Sequence, residues 1–344
     1  MVSWKLWTLP KATKYMVSVI FPCKNDLVLL REVIDNLTDG LDESTFEIIV
    51  VNDGSTHTNG QLLTMSEKDF NHSNVRVINN GATFGVGYSF DRGIENSTGD
   101  IIVLCGSDIF PRKVSWLSDV QRYVRENEIG CCASVGLNGA ERNLNHEKRY
   151  VRYGANLLYT VSNNDLPRNS FWRNKKGGYT VLFEGKWQGK LGDKPYEIPC
   201  LMGAFYFTTK KFYEKIHGWD TEEGVRYQGH QGWGSLEPYI SLKTKIYGGK
   251  LRVYPDFEVG HIFGRVTGDN ISRSVREDLH WFNRLFMVHT MTDNPLKSEL
   301  LAFPHKEYSL NIAEKVLGEN WGKVEKVRNR NLWESKGLVT EKPY

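Results

Sequence analysis

The stretch from Ser97 to Pro111, STGDIIVLCGSDIFP, decides how the rest of the chain is read. Thr98-Gly99-Asp100 is a turn, and Ile101-Ile102-Val103-Leu104-Cys105 is an unbroken apolar run. A short run without polar alternation predicts a strand buried on both faces. It ends at Gly106-Ser107-Asp108, and Pro111 follows three residues later to stop further pairing. A carboxylate just past the C-terminal end of a buried parallel strand stands where open α/β sheets bind ligands. Asp108 is therefore the first candidate site residue. A hard oxygen ligand there suits Mg²⁺ or Mn²⁺ carrying a diphosphate.

Working outward, the same pattern repeats on the N-terminal side. Met16–Phe21 (MVSVIF) is a β-rich run ending at Pro22, and Lys24-Asn25-Asp26 form a turn. Asn25 or Asp26 can cap a helix from Leu27 to about Leu37, with Leu30, Val33, Ile34 and Leu37 on one face. Phe46–Val51 (FEIIVV) is a second buried strand ending at Asn52-Asp53-Gly54-Ser55, and Val75–Ile78 a short third. Gly85–Ser97 reads as a helix with Val86, Phe90 and Ile94 on one stripe. Strand–helix alternation through the first 135 residues predicts a mostly parallel, doubly wound sheet with crossover helices.

On the C-terminal side a helix near 114–126 and a strand at Ile129–Val135 precede a change of character. Residues 139–199 are rich in Asn, Gly, Arg, Lys and aromatics and predict irregular loops or short hairpins over the active face. Order returns with a strand at Cys200–Thr208 and a helix through Lys210–Ile216. Gly229–Gly234 (GHQGWG) is a glycine-rich loop. A helix at Glu237–Ile246 is closed by Gly248-Gly249, and Leu251–Tyr254 is a strand. Leu279–Met291 and Lys306–Leu317 predict helices in the tail.

The 344 residues suffice for one large α/β domain, and 40% hydrophobic with 25% charged residues is ordinary globular composition. A net charge of +3 does not by itself demand a polyanionic partner. Its distribution is uneven, because Glu141–Lys194 holds 11 Lys/Arg against 5 Asp/Glu. Basic residues interleaved with aromatics there (Arg149, Arg152, Arg168, Trp172, Arg173, Trp187) suit a nucleic-acid groove, or are ordinary loop anchors with solvated charges. Five cysteines without framework spacing exclude a disulfide scaffold, and Cys105, Cys131 and Cys132 read as small core residues. No apolar segment has signal-peptide or membrane-span character, which makes a reduced, cytoplasmic, soluble protein the expectation.

Several of these runs resemble the nucleotide-sugar glycosyltransferases of the GT-A fold. VSVIFPCKND is similar to their first strand and turn, and VVNDGST to their nucleotide-binding turn. GVGYSFDRGIENSTGDIIVLCGSD resembles their helix–strand leading to the metal motif. PCLMGAFYFTTKKFYEKIHGWD and GWGSLEPYISLKTKIYGGKLRVYPDFEVGHIFGR look most like polypeptide N-acetylgalactosaminyltransferases and β-1,4-galactosyltransferases. The resemblance covers roughly residues 16–135 and 198–265. It implies a GT-A domain over 1–278 with a helical C-terminal extension over 279–344. Within that domain, 15–135 would bind the nucleotide sugar, 139–199 form an insertion on the acceptor side, and 200–278 supply the acceptor and catalytic half.

Carried over residue by residue, the resemblance makes Pro22, Asp53, Arg92, Ser107 and Asp108 donor-site residues. Asp53 would contact the nucleotide base; its other reading is an Asx-turn closing the strand. Arg92 would lie near the donor, or be a solvated helix-face arginine. Asp108 matches the last acid of the family's DxD motif, whose first acid is replaced here by Gly106. His261 matches the histidine that completes the metal site, and imidazole favours Mn²⁺ over Mg²⁺. Glu237 stands four residues after Trp233, the offset of the catalytic base in inverting galactosyltransferases, whereas Leu236 replaces the glutamate of retaining relatives. The plainer reading of Glu237 is an acid facing a helix N-terminus. Trp233 and Gly234 would touch the sugar or acceptor, and 262–274 is either a lid on the diphosphate or a surface loop. The implied reaction is inverting, metal-dependent transfer from a nucleotide sugar, most simply a UDP-sugar, to an acceptor hydroxyl. Two alternatives are transfer to a hydroxymethylated base in DNA, and a non-catalytic nucleotide-sugar or glycan-binding protein on the same fold.

Overall fold

Val17–Cys23 (β1) pairs in parallel with Phe46–Asp53 (β2) on one side and with Ile101–Cys105 (β4) on the other. Val75–Asn80 (β3) extends the parallel sheet beyond β2. The computed structural model describes residues 15–138, 151–162, 179–202, 205–232, 234–263, 277–291 and 315–332. Every residue of β4 is buried, as its uninterrupted apolar run requires. Successive residues face opposite sides of the sheet. Val17, Val19, Phe21, Ile101 and Val103 meet the apolar stripe of helix α1 (Leu27–Thr38). Ile20, Ile102 and Leu104 meet Phe90 and Ile94 of helix α2 (Val86–Glu95). That two-residue period is what places both helices as crossovers on opposite faces. Gly93 lets α2 approach so closely that a Cβ there would come within 2.2 Å of Ile20 Cγ2.

Beyond β4 the sheet changes direction. Ile109–Pro111 (β5) and helix α3 (Trp116–Tyr123) lead into Glu128–Asn138 (β6), followed by the short Val151–Arg152 (β7). Ala155–Ser162 (β8) and Tyr179–Trp187 (β9) form a separate antiparallel hairpin, and Tyr196–Glu197 (β10) an edge strand. Phe205–Thr209 (β11) inserts antiparallel between β4 and β6, and Lys250–Phe263 (β12) runs parallel to β6. The order β3-β2-β1-β4-β11-β6-β12-β10 is thus a mixed, mostly parallel sheet flanked by helices, the expected architecture.

Two local expectations are corrected. Pro111 does not end pairing, because it sits opposite Val259 in the short antiparallel ladder of β5 with β12. Its missing N–H is tolerated there because the strand is short and peripheral. The strand expected at Leu251–Tyr254 runs on to Phe263, with an irregular register between Tyr254 and Glu258 absorbing Pro255 and Asp256. The tail is integrated into the same core. Helices α6 (Glu277–Met291) and α7 (Trp321–Leu332) contribute Trp281, Phe282, Leu285, Phe286, Val324 and Val327 to the cluster that holds Ile20 and Leu104. α4 (Lys210–Lys215) and α5 (Leu236–Ile246) connect these parts. All five cysteines are buried and none forms a disulfide, in agreement with the core reading. Among the described residues no helix is long and apolar enough to cross a membrane.

A titratable staple closes the end of α1. His72 Nδ1 lies 2.7 Å from Glu43 Oε1 and its Nε2 lies 2.9 Å from Asp35 Oδ1. Burial pushes His72 down, but the hydrogen bonds and charges of the two carboxylates outweigh it and raise the net pKa above 6.5. Glu43 is held below 4.5, chiefly by Ser73 and then by His72. A raised imidazole contributes stability that is fully present below its unfolded value and lost as pH rises through its folded one. The carboxylate contribution is lost on the acid side. His72→Gln should therefore lower stability most between pH 4.5 and 6.5, by no more than about 1 kcal/mol for so exposed a cluster. Thermal unfolding of both proteins across pH checks this; a gap that widens above pH 8 would contradict it.

Candidate active site

The turns after β1, β2 and β4 meet at one edge of the sheet and interlock through short polar side chains. Asn25 Oδ1 accepts from Thr56 N (2.7 Å), and Asn25 N donates to Ser55 Oγ (2.9 Å). Ser107 Oγ donates to Asp26 Oδ2 at 3.1 Å. Pro22 pairs opposite Val51, past the point where β1 and β4 part. Asp53, at the end of β2, is buried. Its carboxylate accepts from the backbone N–H groups of Phe84 and Gly85 (both 2.9 Å) and from Asn80 Nδ2 (3.1 Å). Burial raises its pKa against these donors. Asp53 thus shapes the 80–85 loop and opens α2, a contribution beyond the Asx-turn or base contact read from sequence.

Asp108 and His261 come from opposite halves of the chain and meet. Asp108 Oδ2 lies 3.4 Å from His261 Nε2, and the backbone N–H of Ile262 donates to Asp108 O at 3.1 Å. The pairing of β5 with β12 causes this, since His261 stands opposite Ile109. Both side chains are partly exposed, at 25% and 15%. One carboxylate oxygen and one imidazole nitrogen on an accessible rim are a donor set that fits Mn²⁺. Among the described residues no cluster of three or more His, Cys, Asp or Glu forms a complete cage. A cation held here must draw its remaining ligands from water and substrate oxygens, as hard divalent ions do in phosphate sites.

Glu237 occupies the first turn of α5, behind Ser235 in the left-handed conformation (φ 56°). Its Oε1 accepts from the hydroxyl of Tyr206 at 3.1 Å. Tyr206 is on β11, opposite Leu104 of β4, so the carboxylate is tied to the strand next to the one that leads into the Asp108 turn. The glycine-rich loop before α5 crosses the donor half at close range. Val86 N donates to Gly232 O (3.2 Å) and Gly232 N to Phe84 O (3.0 Å). Gly85 has φ 113°, and a Cβ there would lie 2.4 Å from Gly232 N. No other residue fits that crossing. Gly234 is described and buried, whereas Trp233, residues 264–276 of the expected lid, and 139–150 and 163–178 of the basic segment lie outside the described residues.

Arg92 is held by ion pairs. Its guanidinium pairs with Glu223 (2.9 Å) and Glu95 (3.3 Å) on the rim of a shallow pocket of about 230 Å³ that also includes Asn80, Phe84 and Tyr88. Its neighbour Asp91, which sequence reading passed over, braces the site. Asp91 accepts from Tyr213 OH, Thr221 Oγ1 (both 2.5 Å) and the N–H groups of Trp219 and Thr221 (both 3.1 Å). Burial lifts its pKa to about 6 despite those donors. A second buried centre lies behind the glycine loop. Asp220 pairs with Lys243 (2.7 Å) and with Arg330 of α7, and accepts from Tyr239 OH (2.7 Å). Burial pulls Lys243 down to about 8, so it remains protonated at neutral pH.

The glycosyl transferase family 2 profile matches residues 18–184, the span from β1 through most of β9. The match takes in just under half of the chain. A probable N-acetylgalactosaminyltransferase 9 of Caenorhabditis elegans is 24% identical over 87% of this chain and 47% of its own. A dolichyl N-acetyl-alpha-D-glucosaminyl phosphate 3-beta-D-2,3-diacetamido-2,3-dideoxy-beta-D-glucuronosyltransferase of Methanococcus voltae is 25% identical over 58% of this chain and 60% of its own. The chain therefore spans about half the length of these relatives. The crystal structure of GalNAc-T7 with UDP, GalNAc and Mn²⁺ superposes with a TM-score of 0.55 at 15% identity, covering 88% of this chain and 54% of that one. The chain thus has the GT-A fold, as the mixed sheet order indicates.

Proposed function

We propose that this chain is a metal-dependent glycosyltransferase that moves a sugar from a nucleotide sugar, most simply a UDP-sugar, to an acceptor hydroxyl with inversion. The observation that carries the reading is the meeting of Asp108 and His261 at 3.4 Å on the sheet edge where the turns after β1, β2 and β4 converge. The Mn²⁺ named with the structural relative, and the similarity to N-acetylgalactosaminyltransferases, support it. Asp108 and His261 would hold Mn²⁺ or Mg²⁺, which when bound supplies Lewis acidity to stabilise charge on a departing diphosphate. Asp53 fixes the loop against which the nucleotide would rest. Glu237 accepts the proton of the acceptor hydroxyl as its oxygen attacks the anomeric carbon. The sugar–phosphate bond breaks on the opposite face, and its electron pair leaves with the nucleotide.

The test is thermal unfolding with UDP, GDP, CMP and dTDP, each with and without Mn²⁺. A nucleotide at about 100 times its dissociation constant should stabilise the protein by about 2.7 kcal/mol. We expect one nucleotide to do so only with Mn²⁺, and Asp108→Ala to lose that increment. Equal stabilisation without metal, or in Asp108→Ala, would reduce Asp108–His261 to an ordinary ion pair.

A further inference from the structure

The glycine-rich loop that precedes Glu237 is held from behind by one fully buried side chain of the C-terminal helix α6. Asn283 Oδ1 accepts from Gln231 N at 2.7 Å, and its Nδ2 donates to Gln231 O (2.7 Å) and to Gly234 O (3.1 Å). A single carboxamide thereby takes up both backbone groups of Gln231 and the carbonyl of Gly234. His230 Nε2 lies 2.7 Å from the same Gly234 oxygen. Burial lowers His230 to about 4, so it is neutral, and the carbonyl acceptor places its proton on Nε2. Packing sets the distance from α6. A Cβ on Gly234 (φ 104°) would come 2.7 Å from His280 Cδ2, and one on Gly232 (φ 59°) 3.0 Å from Leu279 Cδ1. The opposite side of the loop touches Phe84 and Val86 of the donor half.

We infer that Asn283 is a positioning residue for transfer: through the Gln231 and Gly234 backbone it fixes the loop, and with it the start of α5 and the Glu237 carboxylate, against the donor half. This rests on the proposed role of Glu237. Ser235 follows Gly234 immediately and Glu237 two residues later, and Arg284, next to Asn283, reaches Ser235 Oγ at 3.4 Å, so α6 holds the α5 entry at consecutive points. A misplacement of about 1 Å in a reacting group can cost on the order of 10²-fold in rate. Asn283→Asp is the sharpest change. It keeps the shape and the acceptor for Gln231 N, but removes two donations and turns a carboxylate towards two carbonyl oxygens.

The experiment measures UDP release from UDP-N-acetylgalactosamine and UDP-N-acetylglucosamine, alongside the Mn²⁺-dependent thermal shift. For Asn283→Asp we expect kcat to fall about 10- to 100-fold, with donor KM and the nucleotide shift unchanged. Activity should recover in part towards acid pH, as the new carboxyl is protonated and donates again. Asn283→Ser, uncharged and smaller, gives the same kcat and KM split without the acid recovery and serves if the aspartate variant fails to fold. Full turnover in a folded variant, or a loss that merely follows the unfolded fraction, overturns the inference. Glu237→Gln run in parallel separates the two readings. If it keeps full activity the proposed function fails, and if it is inactive while Asn283→Asp is normal only the positioning role fails.

Discussion

Replacing Glu237 by Gln is expected to slow sugar transfer about 10²- to 10⁴-fold, the usual weight of a positioned general base. That corresponds to about 2.7 to 5.5 kcal/mol of lost transition-state stabilisation. The substitution keeps the side-chain length and an oxygen to accept from the Tyr206 hydroxyl, now 3.1 Å from Glu237 Oε1. It removes only the capacity to take a proton. Nucleotide binding should persist, since Asp108 in the turn after β4 and His261 on β12 belong to other elements than α5. The competing assignment gives a different result. If Glu237 merely faces the N-terminus of α5, the glutamine variant loses about 0.3 to 1 kcal/mol of stability and transfers sugar at the wild-type rate. Steady-state turnover measured beside denaturant unfolding discriminates the two, and unchanged turnover would sink the inverting mechanism.

The sequence carried what short-range physics writes into it. β4 was legible because five apolar residues in a row leave no exposed face, and Asp108 because the run stops at Gly106. Its meeting with His261 was legible only through resemblance, since 153 residues separate the two and no local pattern links them. What reading missed is long-range and polar. Asp91, on the buried side of an amphipathic helix, carries no local signal, yet it gathers four donors from 213–221. Asn283 has no sequence signature, because its bonds reach backbone atoms about fifty residues away. The pairing of Arg92 with Glu223 has no local signal either, because the two are 131 residues apart. β12 runs beyond its apolar start at Leu251–Tyr254 because the sheet accommodates Pro255-Asp256 as an irregularity in register.

Asp220→Ala should destabilise the protein by about 3 to 5 kcal/mol, the cost of breaking a buried ion pair by removing one partner. The side chains of Asp220 and Lys243 are fully buried, and Arg330 of α7 is mostly so. Without the carboxylate, Lys243 keeps only the His217 and Gly218 carbonyls (2.9 and 2.8 Å), and Tyr239 OH loses its acceptor. Its pKa, already pulled down to about 8 by burial, should fall further once the Asp220 charge that raises it is gone. Lys243→Met is expected to cost less, because Asp220 retains Arg330 and the methionine keeps most of the length of the lysine stem. Adding Lys243→Met to Asp220→Ala should recover part of the loss, whereas independent sites would add their costs. The damage should also be directional. Arg330 and Asn331 anchor α7 to Asp220, so the variant should release α7 first and expose Lys323 and Lys326 to trypsin before global unfolding. A loss below about 1 kcal/mol, with α7 still protected, would mean that the charges are solvated in solution. The tail would then hold to the 217–232 segment by its apolar face alone.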